Sequence, residues 1–218
     1  MIRRGFLIGL VLLLFWSGTV SAAAQGSTIT LPAVRLEEKV IFEDIRDHWC
    51  RSYVEALAVH QVVQGKAEGV FDPDGGLTRA ELVALAVRVS GKTAEGTLFA
   101  DVAADAWFVS AVATASGLGF IPEAMVADGN FYPDRKITRE EMTAVLTAVY
   151  EQTGRQAVSA ALDGFSDRAA ITDDYVASVG KAVGLGLVNG NANGTFAPQD
   201  GATRAEAATI LFRLQKRI

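Results

Sequence analysis

Cysteine occurs once in this chain and histidine twice, and basic residues are outnumbered by acidic ones, 20 to 25. The one cysteine, Cys50, cannot close an internal disulfide. Standing beside Trp49 at the start of a predicted helix, it reads as a buried, inert thiol rather than a bridge between molecules. His48 and His60 lie on the same predicted helix, about 18 Å apart by the helical rise, too far to share a metal ion. No Ser-His-Asp or Cys-His set assembles around them, and both read as solvated surface histidines. The formal net charge of −5 argues against nucleic acid as a partner, because phosphate contacts need clustered Lys and Arg. Gly184, Gly186, Gly190 and Gly194 follow no predicted strand, so turn geometry accounts for them better than a phosphate loop. The stretch "DPDGG" (Asp72 to Gly76) opens like a calcium loop, but the twelfth position is Val83, where a bidentate Glu is required. The chain is therefore read as a non-enzyme without metal or cofactor.

Half of the residues are hydrophobic and 21% are charged, which supports a packed core. Part of that hydrophobicity sits in Met1 to Ala24, which reads as a secretory signal. Arg3 and Arg4 form its basic start, Gly5 to Trp16 its apolar run, and Ser17 to Ala24 offers A-x-A-like cleavage sites. The run is shorter than the ~20 residues of a spanning helix. The Arg3-Arg4 pair hints at a twin-arginine signal, but the start is too short for one, and no cysteine follows the apolar run as a lipoprotein would need. Residues 25–40 read as a lead-in.

The remainder repeats. Thr78-Arg79-Ala80-Glu81, Thr138-Arg139-Glu140-Glu141 and Thr203-Arg204-Ala205-Glu206 each follow an F-x-P motif at fixed distance: Phe71-Asp72-Pro73, Phe131-Tyr132-Pro133 and Phe196-Ala197-Pro198. Each unit opens with F-x-D, at Phe42 to Asp44, Phe99 to Asp101 and Phe165 to Asp167. The units span 41–95, 96–155 and 160–218, and each reads as helix, loop, helix. In the first, Trp49, Tyr53, Val54 and Leu57 recur at helical spacing, and the helix is expected to run to Val63 with Gly65 as its C-terminal cap. The second helices carry one apolar stripe each: Leu82, Leu85, Ala86, Val89; Met142, Val145, Leu146, Val149, Tyr150; Ala207, Ile210, Leu211, Leu214.

Two letters of T-R-x-E have a local role. Thr78, Thr138 and Thr203 are placed to cap their helices, and Glu81, Glu141 and Glu206 to reach back to the cap residue, as a capping box. Arg79, Arg139 and Arg204 fall at the first helical position, where a cation opposes the helix dipole. A guanidinium beside free helix N–H groups would make an anion site for a carboxylate or phosphate. The alternative is that each arginine pairs with an acidic residue of its own or a neighbouring unit.

This pattern resembles the S-layer homology (SLH) family over nearly all of the chain after residue 40, with three tandem copies. The resemblance implies an all-α fold, in which three units form a pseudo-threefold spindle around a central helical bundle with ligand grooves between units. It implies non-catalytic attachment to bacterial cell walls by binding secondary wall polysaccharide, often pyruvylated, or a peptidoglycan-linked glycan. It would place the protein outside the membrane, at the cell wall or S-layer. On that family pattern Arg79, Arg139 and Arg204 hold the ligand's carboxylate or hydroxyls, Asp44, Asp101 and Asp167 hold sugar hydroxyls or brace the arginines, and Trp49 and Trp107 wall the grooves. The alternative for both tryptophans is core packing.

The copies differ: Asp174, with Tyr175 beside it, stands where the third tryptophan belongs, and Glu123, opening the insertion "EAMVADG", replaces the glycine given by Gly65 and Gly190. One or two competent grooves are expected, not three. The alternative function is a protein-interaction module that keeps the scaffold and has lost glycan binding, with a surface protein as partner. The chain stops soon after the third T-R-x-E helix. Whether the module tethers a partner, coats the wall or is a piece of a larger protein stays open at this point.

Overall fold

A computed structural model describes residues 42–218. The proposed signal and lead-in lie outside the described residues. The helices are α1 (Arg51–Val59), α2 (Arg79–Ser90), α3 (Val109–Gly117), α4 (Arg139–Glu151), α5 (Asp173–Gly184) and α6 (Arg204–Gln215), with 3-10 turns at Glu43–Ile45, Glu123–Met125 and Arg168–Ala170. Among the described residues there are isolated bridges but no strands, and no helix is long and apolar enough to cross a membrane. The fold is all-α.

Capping chemistry starts every second helix at the same letter. In α2, α4 and α6 the threonine Oγ1 accepts from the N3 backbone N–H while the N3 glutamate accepts from the threonine N–H, so both halves of the capping box are made. The first helices end differently from the sequence expectation. α1 stops at Val59 because Gln61 turns left-handed (φ 57°), with Gln61 N–H donating to Ala58 O and Val62 N–H to Leu57 O. Gly119 and Gly186 take the same left-handed position after α3 and α5. Gly65 is therefore not a cap. A Cβ there would lie 2.6 Å from the Phe42 ring and 2.6 Å from Val70 O, and one on Gly190 would lie 2.4 Å from the Phe165 ring. These glycines let the loop pass against the F-x-D phenylalanine. That ring packs in turn against the F-x-P phenylalanine, with centroids 5.5 to 5.7 Å apart in the three units, stacked in the second and tilted in the other two.

Helix pairing crosses the unit boundaries. α3 packs on α2, α5 on α4, and α1 on α6, so each first helix covers the second helix of the preceding unit and the first unit covers the last. α2, α4 and α6 also touch one another. In front of them the backbone closes a three-membered cycle: Leu77 N–H to Ala202 O (3.1 Å), Ala202 N–H to Ile137 O (3.0 Å), Ile137 N–H to Leu77 O (3.1 Å). Leu77, Ile137 and Ala202 are fully buried at that junction. A lone helix pair could not bury its stripe, whereas three units do so jointly, which explains why the pattern comes in triplicate.

The histidines also move. Both flank α1 rather than riding on it. His48 is half-buried with Nδ1 3.0 Å from Cys50 Sγ, and His60 is the exposed C-cap. Cys50 is fully buried, and burial pushes its thiol up to about 11.

Candidate functional site

The helix N-termini are not free. Arg79 and Ala80 donate their backbone N–H groups to Arg135 O and Pro133 O, Arg139 and Glu140 to Asp200 O and Pro198 O, and Arg204 and Ala205 to Gly75 O and Pro73 O. Each helix start is thus filled by the F-x-P loop of the next unit around the cycle, and the exposed amides of the sequence reading are corrected to interface hydrogen bonds. The first-turn arginines follow their backbones into that next unit. Arg79 Nη2 pairs with Glu141 Oε1, its Nε lies 3.4 Å from Oε2, and its Nη1 donates to Met125 O (2.6 Å) and Phe131 O (2.9 Å). The two side chains are 2% and 5% exposed. Arg139 pairs with Glu206 (2.7 Å) and donates to Phe196 O (2.8 Å) and Asn189 O (2.9 Å). The acceptor is the capping-box glutamate, whose other oxygen holds its own cap residue. One carboxylate therefore serves both the cap and the incoming arginine.

Arg204 breaks the series. It donates to Phe71 O (2.7 Å) and Gln64 O (2.8 Å) and lies 4.5 Å over the Phe71 ring. Among the described residues it has no ion pair with Glu81, the glutamate that the cycle assigns to it. Glu81 Oε2 accepts from Thr78 N–H, and both Arg204 and Glu81 are half-buried. Burial lowers the Arg204 guanidinium's pKa, with Glu81, Asp72 and Asp44 acting the other way.

The F-x-D aspartates are loop clamps. Asp44 accepts from Phe71 N–H (2.9 Å) and Asp72 N–H (2.6 Å), Asp101 from Phe131 and Tyr132 (2.9 and 2.6 Å), and Asp167 from Phe196 and Ala197 (2.8 and 2.7 Å). The clamped middle residues Asp72, Tyr132 and Ala197 all have positive φ, a conformation that costs free energy for a residue with a Cβ. Among the described residues no hydrogen bond or ion pair joins these aspartates to an arginine of the T-R-x-E set; they brace the loop that receives the arginine instead.

Two clefts carry the remaining predicted residues. The first, about 270 Å³, is lined by Gln64, Lys66, Glu81, Arg88, Trp107 and Arg204. The second, about 210 Å³, is lined by Asn189, Glu206, Thr209, Arg213, Trp49 and Arg139. Each draws on all three units. Trp107 and Trp49 are 65% and 58% exposed and wall the clefts, rather than filling the core. At the third equivalent position Arg79, Met125, Glu141 and Tyr175 are all buried. Met125 comes from the insertion that replaces the glycine. Burial pushes the Tyr175 phenol up to about 12, with Glu141 adding to the rise and Arg79 opposing it. A larger depression of about 580 Å³ lies between residues 159–163 and α5. Its lining is mostly alanine and other apolar side chains, its Arg168 and Asp163 pair with each other, and it holds no repeat-motif residue, so size alone does not make it the site.

Lys66, Arg88 and Arg213 went unnoticed in the sequence. The signal for two of them is present: Arg88 and Arg213 stand nine residues after Arg79 and Arg204, where the second unit has Ala148.

The S-layer homology domain profile matches residues 41–83, 98–143 and 164–208, more than half of the chain. The chain belongs to the S-layer homology domain family. It is 36% identical to an amylopullulanase of Thermoanaerobacterium thermosulfurigenes over 202 residues, which is 88% of this chain and 11% of that protein. It is 34% identical to exoglucanase XynX of Acetivibrio thermocellus over 187 residues, covering 84% of this chain and 17% of that one. It is also 28% identical to a surface-layer 125 kDa protein of Lysinibacillus sphaericus, over 91% of this chain and 17% of that protein. The chain thus spans less than a fifth of each of these relatives.

Proposed function

We propose that this protein attaches, without turnover, to an anionic polysaccharide of the cell wall, outside the cytoplasmic membrane, and that the Arg204–Trp107 cleft is its principal grip. The observation that carries this reading is that Arg204 has no carboxylate partner among the described residues. Its counterparts Arg79 and Arg139 are neutralised by glutamates, whereas Arg204 faces a cleft that also holds Lys66 and Arg88. A carboxylate entering there gains charge-assisted hydrogen bonds in a partly desolvated setting. The exposed face of Trp107 supplies an apolar platform for a sugar ring. A pyruvate ketal is a sugar substituent that brings the needed carboxylate. The cleft is smaller than the roughly 300–1,000 Å³ usual for drug-sized ligands, which suits one terminal sugar unit rather than a long oligosaccharide. A relative named as a surface-layer protein supports the location. The catalytic names of the other relatives belong to proteins of which this chain covers a small part.

Sedimentation with purified cell-wall sacculi tests the proposal. The protein is expected to pellet with intact sacculi, to stay in solution with sacculi stripped of their polysaccharide, and to bind less when ketals are absent. Equal pelleting with stripped sacculi, or none with either, refutes it; the second outcome favours a module that binds protein partners instead.

A further inference from the structure

The two open clefts are built alike but charged differently. Arg88 in one matches Arg213 in the other, and Trp107 matches Trp49, so these cancel in a comparison. Three differences remain. Arg204 has no carboxylate partner among the described residues, whereas Arg139 is neutralised by Glu206 at 2.7 Å. Lys66, held by Asp72 at 2.8 Å, lines the first cleft, and the second has Asn191 at the equivalent position in sequence. All three guanidinium nitrogens of Arg139 are engaged, while Nη1 of Arg204 has no partner among the described residues. Each cleft holds one capping-box carboxylate, Glu81 in the first and Glu206 in the second, but an anion in the first can reach a guanidinium that Glu81 does not engage, whereas in the second it must displace Glu206 from Arg139. Like charges in one small cleft repel, and the displaced Glu206 carboxylate, only 31% exposed, would be left beside the anion without its guanidinium.

We propose that the clefts divide their labour: the Arg204–Trp107 cleft selects a sugar carrying a carboxylate, and the Arg139–Trp49 cleft takes an uncharged sugar of the same polymer. This rests on the glycan-binding reading above. It makes recognition bivalent along one chain, so that avidity depends on the spacing between charged and uncharged units. The Arg139–Glu206 pair then serves as a specificity device that excludes anions while leaving the tryptophan platform and the half-buried Arg213, whose Nη1 donates to Leu187 O, to line the cleft for neutral hydroxyls.

Each cleft carries its own reporter. The full chain labelled with 5-fluorotryptophan gives a fluorine resonance for Trp107 and another for Trp49, assigned by Trp107→Phe and Trp49→Phe. The probes are a methyl hexopyranoside bearing a 4,6-pyruvate ketal and the same glycoside with the neutral acetal lacking the carboxylate. The ketal is expected to move the Trp107 resonance at a concentration at least about tenfold below that needed for Trp49, and Arg204→Gln to remove that response while Trp49 is unaffected. The neutral acetal is expected to move Trp49 at the lower concentration. In Glu206→Gln, whose amide keeps the cap acceptor, the Trp49 cleft is expected to gain affinity for the ketal. Equal response of both resonances to the ketal overturns the division of labour but leaves glycan binding standing. No response of either resonance to either probe, together with no binding to sacculi, overturns both.

Discussion

Replacing Arg79 by methionine separates an arginine that builds the fold from one that is free to bind. The change deletes four hydrogen bonds at once and leaves Glu141 Oε1 with only the exposed Arg135 guanidinium, 4.0 Å away, in a place where the Arg79 and Glu141 side chains are almost inaccessible to water. Breaking a buried ion pair by removing one partner costs about 3–5 kcal/mol, because the survivor is left as a buried charge, here compensated only in part by the more distant Arg135. For a domain of this size each kcal/mol lowers Tm by about 2–4 °C, so a fall of roughly 6–20 °C is expected. Arg204→Gln loses two bonds to carbonyls and the contact with Phe71 but strands no buried carboxylate, so its Tm is expected to fall by only a few degrees. Circular dichroism at 222 nm during heating measures both. If Arg79→Met loses no more than Arg204→Gln, the separation of structural from functional arginines is wrong.

Gly190→Ala drives a methyl into the Phe165 ring and Thr195 O and is expected to cost about 1–3 kcal/mol in chemical denaturation, while Gly164→Ala, with nothing within 4 Å, is expected to be neutral. Cys50 should resist alkylation by iodoacetamide at pH 8 in the folded protein, since burial holds the thiol up at about 11, and react fully in denaturant. Burial acts to raise the Asp167 carboxyl, but hydrogen bonds from Phe196 and Ala197 outweigh it and set the group below the usual aspartate range. A depressed folded value means its stabilising contribution is present above about pH 3.9, the unfolded value, and is lost as pH falls through the lower one. Asp167→Asn should therefore flatten the acid limb of a Tm-against-pH curve, and an unchanged limb would contradict the clamp.

Local chemistry was legible and long-range pairing was not. The cap residues and the apolar stripes of α2, α4 and α6 follow from spacing alone, because their causes lie within one or two turns. The stripe states that a helix has a face to bury but not what covers it, so the exchange of α1, α3 and α5 between units was hidden. Glu141 and Glu206 looked fully employed by their caps, yet a carboxylate has a second oxygen, and the arginine that uses it comes from another unit. Gly65 has a composition that suggests a cap, whereas the left-handed residue is Gln61, which nothing in the sequence marks. At the third groove, the loss of tryptophan at Asp174 and the insertion at Glu123 did signal a departure. The closure itself, with Met125 and Tyr175 packed around Arg79, required the coordinates.

The most direct measurement is the binding isotherm of Arg204→Gln on intact sacculi beside that of the unmodified chain, with unfolding followed on the same samples. Losing a charge-assisted hydrogen bond worth about 1.5–3 kcal/mol weakens binding at least about tenfold. The account expects that loss while the protein remains folded at the assay temperature. Undiminished binding by a folded Arg204→Gln chain would contradict it.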